Sequence, residues 1–415
     1  MERAILHCDM NNFFASVECV LDPTLKDEAI AVCGNVEERH GIVMARNYKA
    51  KSFGVNAAEP IWMAKKKCPN LVIVNNPHYD KYVEYSEKAR EIYRSYTDYV
   101  EPMGLDECWL DVTESLNLYG EPKKIADDIR NTIREKLGLT ISVGVSFNKT
   151  FAKLGSDMKK PDATTVISKE NFREKVWPLP ATDMIGVGRG TRKILDKYFI
   201  RTIGDIAKES PKRLQYLLGK NGVALYEAAN GIEDTPVQKY EELEEVKSIS
   251  HGITTVRDME NEDEVWKIVL ELTKEIALKL RVKHLRAGGV SVSVRDSKLL
   301  WQQYRKKLKN TEQSASNIAK IAFDLFREKY DWANPVRNIT IGTMYLTKDT
   351  EPEQLTIFEN YTKKEKIEKA EKVMEELNMK YGNEIITTAV LLDDKNLPAN
   401  RRKIKYGSKK SKTNN

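Results

Sequence analysis

Gly104-Leu105-Asp106-Glu107-Cys108-Trp109-Leu110-Asp111-Val112 reads as a β-strand with acids embedded in it. Leu105 and Leu110 flank the Asp106-Glu107 pair, and burying an unpaired carboxylate in such company costs several kcal/mol. A second short apolar run, Ala4 to Met10, carries a carboxylate at Asp9. Asn11-Asn12-Phe13-Phe14 and a helical spacing through Val17 and Val20 follow it, which spells strand, tight turn, helix. Charge placed in this way needs compensation. Mg²⁺ prefers carboxylate oxygens, and two ions about 4 Å apart can clamp the attacking and leaving oxygens of a phosphoryl transfer. The alternative on these residues alone is a solvated strand edge.

Outward from these runs, Ala29–Cys33 and Gly41–Ala45 read as a hairpin across a charged turn, and Tyr79 to Tyr99 as a helix with Tyr82, Tyr85, Ala89, Ile92 and Tyr96 on its period. A helix over Ile125 to Leu137 and an alternating strand over Thr140 to Ser146 follow. Strands alternating with helices argue for an α/β catalytic core. Between Pro178 and Ile232 short helices are joined by glycine turns, notably Gly186-Val187-Gly188-Arg189-Gly190-Thr191, with a second hairpin-like segment at Leu218 to Gly222. The acidic stretch from Tyr240 to Glu245 reads as a linker. Beyond it, strand patterns at Val290–Val294 and Ile339–Met344 and a helix at Val265–Leu280 make a separate α+β module. An extended piece from Glu351 to Phe358, an amphipathic helix through Ile367, Ala370, Val373, Met374 and Leu377, and a basic tail expected to be disordered complete the chain.

At 415 residues the chain suits three or four modules of about 100 residues each. With 41% hydrophobic and 31% charged residues it fits a globular protein, and no apolar run approaches the roughly 20 residues of a membrane span. The N-terminus turns acidic at Asp9 before a signal-peptide core could form, so a cytoplasmic location is expected. Cys8, Cys19, Cys33, Cys68 and Cys108 are odd in number and contain no C-x-x-C pair, which suggests neither a disulfide framework nor a zinc site. The formal charge of +6 is modest, but it is unevenly spread. Val246 to Lys348 holds nineteen Lys/Arg against twelve Asp/Glu, and Arg401 to Asn415 holds seven basic residues and no acid. Such asymmetry suggests a polyanionic partner.

Five segments occur in a particular order: Asp9 to Glu18, Asn47-Tyr48-Lys49-Ala50-Lys51-Ser52-Phe53-Gly54-Val55, Leu105-Asp106-Glu107, Gly144-Val145-Ser146-Phe147-Asn148-Lys149, and Asp157-Met158-Lys159-Lys160-Pro161. In that order they resemble the motifs of the Y-family DNA polymerases, and the resemblance covers essentially the whole chain. It implies a multidomain α/β and α+β right-hand fold. The expected parts are a ferredoxin-like palm (1–10 and 78–165), small fingers (11–77), a helix-hairpin-helix thumb (166–240), a linker (241–246), an α+β little finger (247–348) and a tail (349–415). The implied activity is template-directed addition of deoxynucleotides to a primer 3′ end by two-metal phosphoryl transfer, in translesion synthesis with low fidelity and low processivity. The implied partners are primer-template DNA, deoxynucleoside triphosphates and a sliding clamp, with no membrane, for a monomeric enzyme.

Residue by residue, the resemblance implies Asp9, Asp106 and Glu107 as ligands of two Mg²⁺ ions, with the backbone carbonyl of Met10 as a further oxygen. Tyr48, Lys51 and Lys160 match positions that hold the triphosphate, next to Phe13 and Phe14. Phe14 matches the steric gate that excludes a 2′-hydroxyl. Lys51 stands where many relatives carry arginine, exchanging a two-pronged contact for a point charge, and Gly104 stands where relatives often place serine. Gly186, Gly188 and Gly190 can offer backbone N–H groups to duplex phosphates. Arg257, Arg295 and Arg337 lie near strand patterns of the basic module and are candidate phosphate contacts, although a charge-rich sheet is by default a solvated face. Gln354-Leu355-Thr356-Ile357-Phe358 resembles the clamp-binding pentapeptide, through Gln354, Leu355, Ile357 and Phe358. Two rivals stay open: a catalytically inactive DNA-binding subunit of a repair complex, and a palm-type nucleotide cyclase.

Overall fold

The computed structural model describes residues 2–34, 41–75, 77–242, 246–352, 361–381 and 385–392. They divide into two compact units, the first made of 2–34 and 42–242, the second of 246–392. The palm of the first unit is a five-stranded sheet in the order Val100–Pro102, Glu107–Asp111, Ile5–Met10, Ile141–Ser146, Thr164–Val166. Ile5–Met10 sits at its centre, and alternation sends Leu6, Cys8 and Met10 into the main core with Ile125, Ile129, Ile133 and Tyr93. Ile5 enters a second cluster with Trp109 and Ala152 on the other face. His7 and Asp9 share that second face by the period of two.

Helix Pro122–Leu137 begins on a proline at its first position and ends at Gly138, whose φ of 67° stops it in the left-handed region. The opposite face carries helix Lys149–Met158, capped by the Asn148 side chain on the Phe151 N–H. This helix touches the sheet at Gly144, where a Cβ would lie 1.8 Å from the Ala152 carbonyl oxygen and 2.5 Å from the Ser156 nitrogen. Gly155 approaches from the other side, its would-be Cβ 3.0 Å from the Gly144 Cα. Two glycines therefore bring a helix backbone against a strand backbone.

Several expected boundaries move. Helix Tyr79–Arg94 ends five residues short of Tyr99, because the Thr97 hydroxyl bonds the Asp111 carbonyl and turns the chain toward strand Val100–Pro102. The acidic strand starts at Glu107, with Asp106 in a bend just before it. Helix Phe13–Leu21, expected with the fingers, buries Phe13, Ala15 and Val17 in the palm core. The finger sheet pairs Ile30–Cys33 antiparallel with Val43–Arg46, in agreement with the hairpin, and parallel with Val72–Val74.

The thumb is a cluster of short helices, among them Arg189–Lys197, Ile203–Lys208 with its Thr202/Asp205 capping box, Pro211–Leu218 and Lys220–Ala229. The chain then returns to the palm: Arg3 pairs with Asp234, the Gln238 N–H bonds Glu101, and Tyr240 bonds Glu87 under the Arg94 guanidinium. Tyr240, expected to open the linker, is thus anchored.

The second unit is a four-stranded antiparallel sheet in the order Trp301–Glu312, Leu285–Asp296, Val336–Lys348, Ser248–Met259, covered on one face by helices Glu262–Val282 and Ala315–Lys329. Helix Tyr361–Tyr381, expected in the tail, docks on this unit. Glu371 accepts the Ala315 and Ser316 N–H groups at 2.8 and 3.0 Å, capping helix Ala315–Lys329, while Arg281 holds Glu375 and Arg286 holds Glu368. Residues 354–358 and 401–415 lie outside the described residues, so the clamp pentapeptide and basic tail have no structural account.

Gly144→Ala is expected to destabilise the first unit by about 3 kcal/mol in urea unfolding, since backbone atoms cannot move aside as a side chain could. Gly190→Ala, where a Cβ meets nothing within 4 Å, should change stability by less than about 1 kcal/mol.

Candidate active site

Asp9 and Glu107 are direct cross-strand partners, as are His7 and Trp109 two pairs further in, on the same face. All four side chains project toward helix Lys149–Met158, and the Gly144 contact brings that helix close enough to answer them. Lys153 places its Nζ 2.8 Å from Glu107 Oε1, 3.5 Å from Asp9 Oδ2 and 3.4 Å from Asp157. Lys160 donates to Asp9 Oδ2 at 2.7 Å and lies 2.9 Å from Asp157. The loop that carries Lys160 is pinned by the Asp162 N–H on Asn11 Oδ1 at 2.9 Å and by Arg130 on the Asp162 carboxylate at 3.0 Å.

The buried imidazole of His7 bridges Ser156, 2.8 Å away, and Glu107, 3.4 Å away. Burial lowers its pKa, so the ring is neutral. Burial would raise Glu107, but the His7 ring beside it and the hydrogen bond from Lys153 outweigh that and hold the carboxyl down to about 2. Asp106 has no such partner: burial, then the charges of Glu107 and Asp9, push it up to about 6. Burial also raises Asp9, with Lys160 pulling the other way. The same Asp9 charge overcomes burial at Lys160 and raises its ammonium group well above the ordinary lysine range.

Among the described residues no three His, Cys, Asp or Glu side chains converge into a ready cage for an ion. The Asp106 carboxyl turns back over Gly104, whose would-be Cβ lies 3.7 Å from Asp106 Oδ1. Four carboxylates, Asp9, Asp106, Glu107 and Asp157, nevertheless face only two ammonium groups. That excess of hard anionic oxygen suits a divalent cation. Met10 closes the strand beside them, its N–H on the Asp106 carbonyl at 2.9 Å. Gly104 has φ +91°, a conformation that serine adopts only under strain.

Phe13 is buried in the core, whereas Phe14 is half-buried, its ring stacked on Tyr82 at 4.2 Å and 10°. The Tyr82 hydroxyl is held by the buried Glu18 carboxylate, which also takes the His78 N–H at 3.1 Å. Tyr48 opens helix Tyr48–Ser52, and Lys51 is exposed with its Nζ 5.7 Å from the Tyr48 ring centroid. Burial raises the Tyr48 pKa, opposed by Lys160 and reinforced by Asp9, so the three groups share one electrostatic neighbourhood and the phenol stays protonated. Asn12, at φ 48°, joins the turn to this helix when its amide is oriented to donate to the Arg46 carbonyl and accept from the Tyr48 N–H.

In the thumb, Gly186 has φ +91° and its carbonyl accepts from Asn221 Nδ2 at 3.2 Å, tying the two glycine hairpins together. Gly188 precedes helix Arg189–Lys197, which has no side-chain cap. A Cβ at Gly188 or Gly190 would meet open space.

In the second unit Ser291, Ser293 and Arg295 face away from the helices, in register with Arg305, Gln303 and Trp301 on one side and Gly342, Thr340 and Asn338 on the other. Gly289 pairs with Lys307, so a field of small residues is bordered by Arg295, Arg305 and Lys307. Arg337 occupies a bulge between Val336 and Asn338. Arg257 sits in the irregular end of strand Ser248–Met259, paired with Glu264 at 2.6 Å. The sequence pointed to neither Arg305 nor Lys307, because their strand alternates too little to be read; nor to Lys153, His7 or Asp157 as neighbours of the acids.

Residues 8–157 match the model of the impB/mucB/samB family, and 246–357 that of its C-terminal domain. The chain is 42% identical over 397 residues to the DNA polymerase IV of Acetivibrio thermocellus, covering 96% of this chain and 99% of the relative. It is 36% identical to DNA polymerase IV 1 of Bacillus subtilis, covering 94% and 93%. A solved Y-family DNA polymerase chimera superposes with a TM-score of 0.74 at 26% identity, over 83% of this chain and 99% of that one. Fold and relatives agree, and the chain belongs to the Y family of DNA polymerases, in the branch of the bacterial DNA polymerase IV proteins.

Proposed function

We propose that Asp9, Asp106 and Glu107, with the Met10 carbonyl, hold two Mg²⁺ ions for the addition of deoxynucleotides to a primer on a DNA template. The activity, translesion DNA synthesis with divalent-metal dependence, follows from the family. The observation that carries the assignment of residues is the register of Asp9 with Glu107 on the face that helix Lys149–Met158 covers. Bound ions would supply Lewis-acid stabilisation of the attacking and leaving oxygens. The primer 3′-hydroxyl attacks the α-phosphorus and pyrophosphate departs. Lys160, Lys51 and the Tyr48 hydroxyl are suited to neutralise charge on that leaving group, because an ammonium group already within 2.7 Å of Asp9 needs little reorganisation. Phe14 presents a half-buried ring backed by Tyr82, which suits it to lie under the sugar as the steric gate, with Phe13 as its support in the core.

Gly186, Gly188 and Gly190 would hold duplex phosphates on uncapped helix N–H groups. On the second unit the field of small residues would admit a phosphate backbone between Arg295, Arg305 and Lys307, with Arg337 beside it, while Arg257 contributes less because Glu264 already claims it. Gln354, Leu355, Ile357 and Phe358 would bind the sliding clamp. The enzyme would act as a monomer, and a cytoplasmic location fits its five unpaired cysteines. Among the described residues no helix is long and apolar enough to cross a membrane.

Asp106→Ala or Glu107→Ala should lower primer extension about 1,000-fold or more while the dissociation constant for DNA changes by less than about threefold. Near-normal extension by either variant at low Mg²⁺ removes that residue from the site. Phe14→Ala should cut the preference for deoxy- over ribonucleotides by about 100-fold in kcat/KM, and Phe13→Ala should act mainly on stability. The opposite pattern would place the gate at Phe13. Replacing Gln354, Leu355 and Phe358 together with alanine should leave extension of a short primer unchanged and abolish its stimulation by a loaded clamp; equal stimulation of both proteins means the clamp contact lies elsewhere.

A further inference from the structure

Lys153 is the one ammonium group at this site to which no role in catalysis has been given. Its side chain is 13% exposed, against 25% for Lys160, and its Nζ lies within 3.5 Å of oxygens from three carboxylates, those of Glu107, Asp157 and Asp9. Helix Lys149–Met158 fixes its origin: the Gly144 contact sets the helix height, and the Ser156 hydroxyl bonds the Lys153 carbonyl at 2.7 Å while facing His7 at 2.8 Å. So the Lys153 head cannot retreat by a shift of the backbone; it can only swing between Glu107 and Asp157, its partner one helical turn on.

We propose that Lys153 is a competing counter-cation: its ammonium group and an incoming divalent ion claim the same oxygens of Asp9 and Glu107, so the ion is held firmly only when Lys153 turns toward Asp157. This rests on the assignment of Asp9 and Glu107 as ion ligands. Three consequences follow from electrostatics. The carboxylates are kept in place by a cation the chain itself supplies. Divalent ions bind weakly to the enzyme alone. The triphosphate, which brings its own negative oxygens, tips the balance toward the ion, so loading of metal and nucleotide become coupled.

The test is Mn²⁺ titration of the full chain, stripped with chelator and free of DNA and nucleotide, with unbound Mn²⁺ read by electron paramagnetic resonance. Lys153→Met should tighten Mn²⁺ binding about tenfold or more, Lys153→Gln likewise, and Lys153→Arg should remain within about twofold of the parent. Thermal midpoints in chelator should fall for the Met and Gln variants and recover on addition of Mn²⁺. Should Met or Gln variants that remain folded bind Mn²⁺ no more tightly than the parent, the competition is absent and the proposal is overturned. An Asp9→Asn, Glu107→Gln double variant separates the two claims. Loss of Mn²⁺ binding in that variant supports the ion site independently of Lys153, and parental binding overturns both.

Discussion

Gly144 and Gly155 let the backbone of helix Lys149–Met158 lie directly on strand Ile141–Ser146, with no side chain between them. Everything electrostatic at the site is a consequence of that spacing. A strand presents Asp9 and Glu107 as a cross-strand pair whatever lies above it, but two carboxylates alone on a covered face would be too costly to bury. The flush helix brings Lys153, Ser156 and Asp157 to them, and the loop that follows brings Lys160. Close packing and charge balance are one constraint here, seen from two sides.

That balance is deliberately incomplete in its chemistry. Glu107 is stabilised as an anion by His7 and Lys153, whereas Asp106, one residue away, is left without a cationic partner and keeps a carboxyl pKa near 6. Adjacent acids at the start of one strand thus differ in their readiness to give up a proton. A divalent cation at the proposed site would find one carboxylate already shaped and a second whose ionisation it would complete.

That two strands carry acids in apolar company was legible because the runs Ala4–Met10 and Gly104–Val112 show it in local sequence. Five motifs in order then made the family legible. The bend at Asp106 was not, since the apolar flanks Leu105 and Leu110 look the same whether the strand begins before or after the pair. Lys153 was out of reach for a different cause: its relation to the acids depends on how far a helix stands from a sheet, which a glycine at position 144 encodes only once the partner surface is known. Strand Trp301–Glu312 escaped because Gln302, Gln303, Arg305, Lys306 and Lys307 give it almost no apolar alternation. The docking of helix Tyr361–Tyr381 escaped because ion pairs from Glu368, Glu371 and Glu375 hold it as much as apolar contact does, and on a helix such acids look like a solvated face.

That docked helix alters what a shortened chain can tell. Glu371 accepts the first two N–H groups of helix Ala315–Lys329, beside the Ser314 N-cap, and Glu375 and Glu368 are the partners of Arg281 and Arg286. Cutting the chain after residue 352, the natural way to remove a recruitment peptide, would also strip a cap worth about 1 kcal/mol and leave two half-buried guanidinium groups without their carboxylates. A truncated protein that binds DNA poorly would then report a loosened sheet module rather than a lost tether. Point substitution inside 354–358, with 361–392 retained, is the form of the molecule in which the two effects come apart.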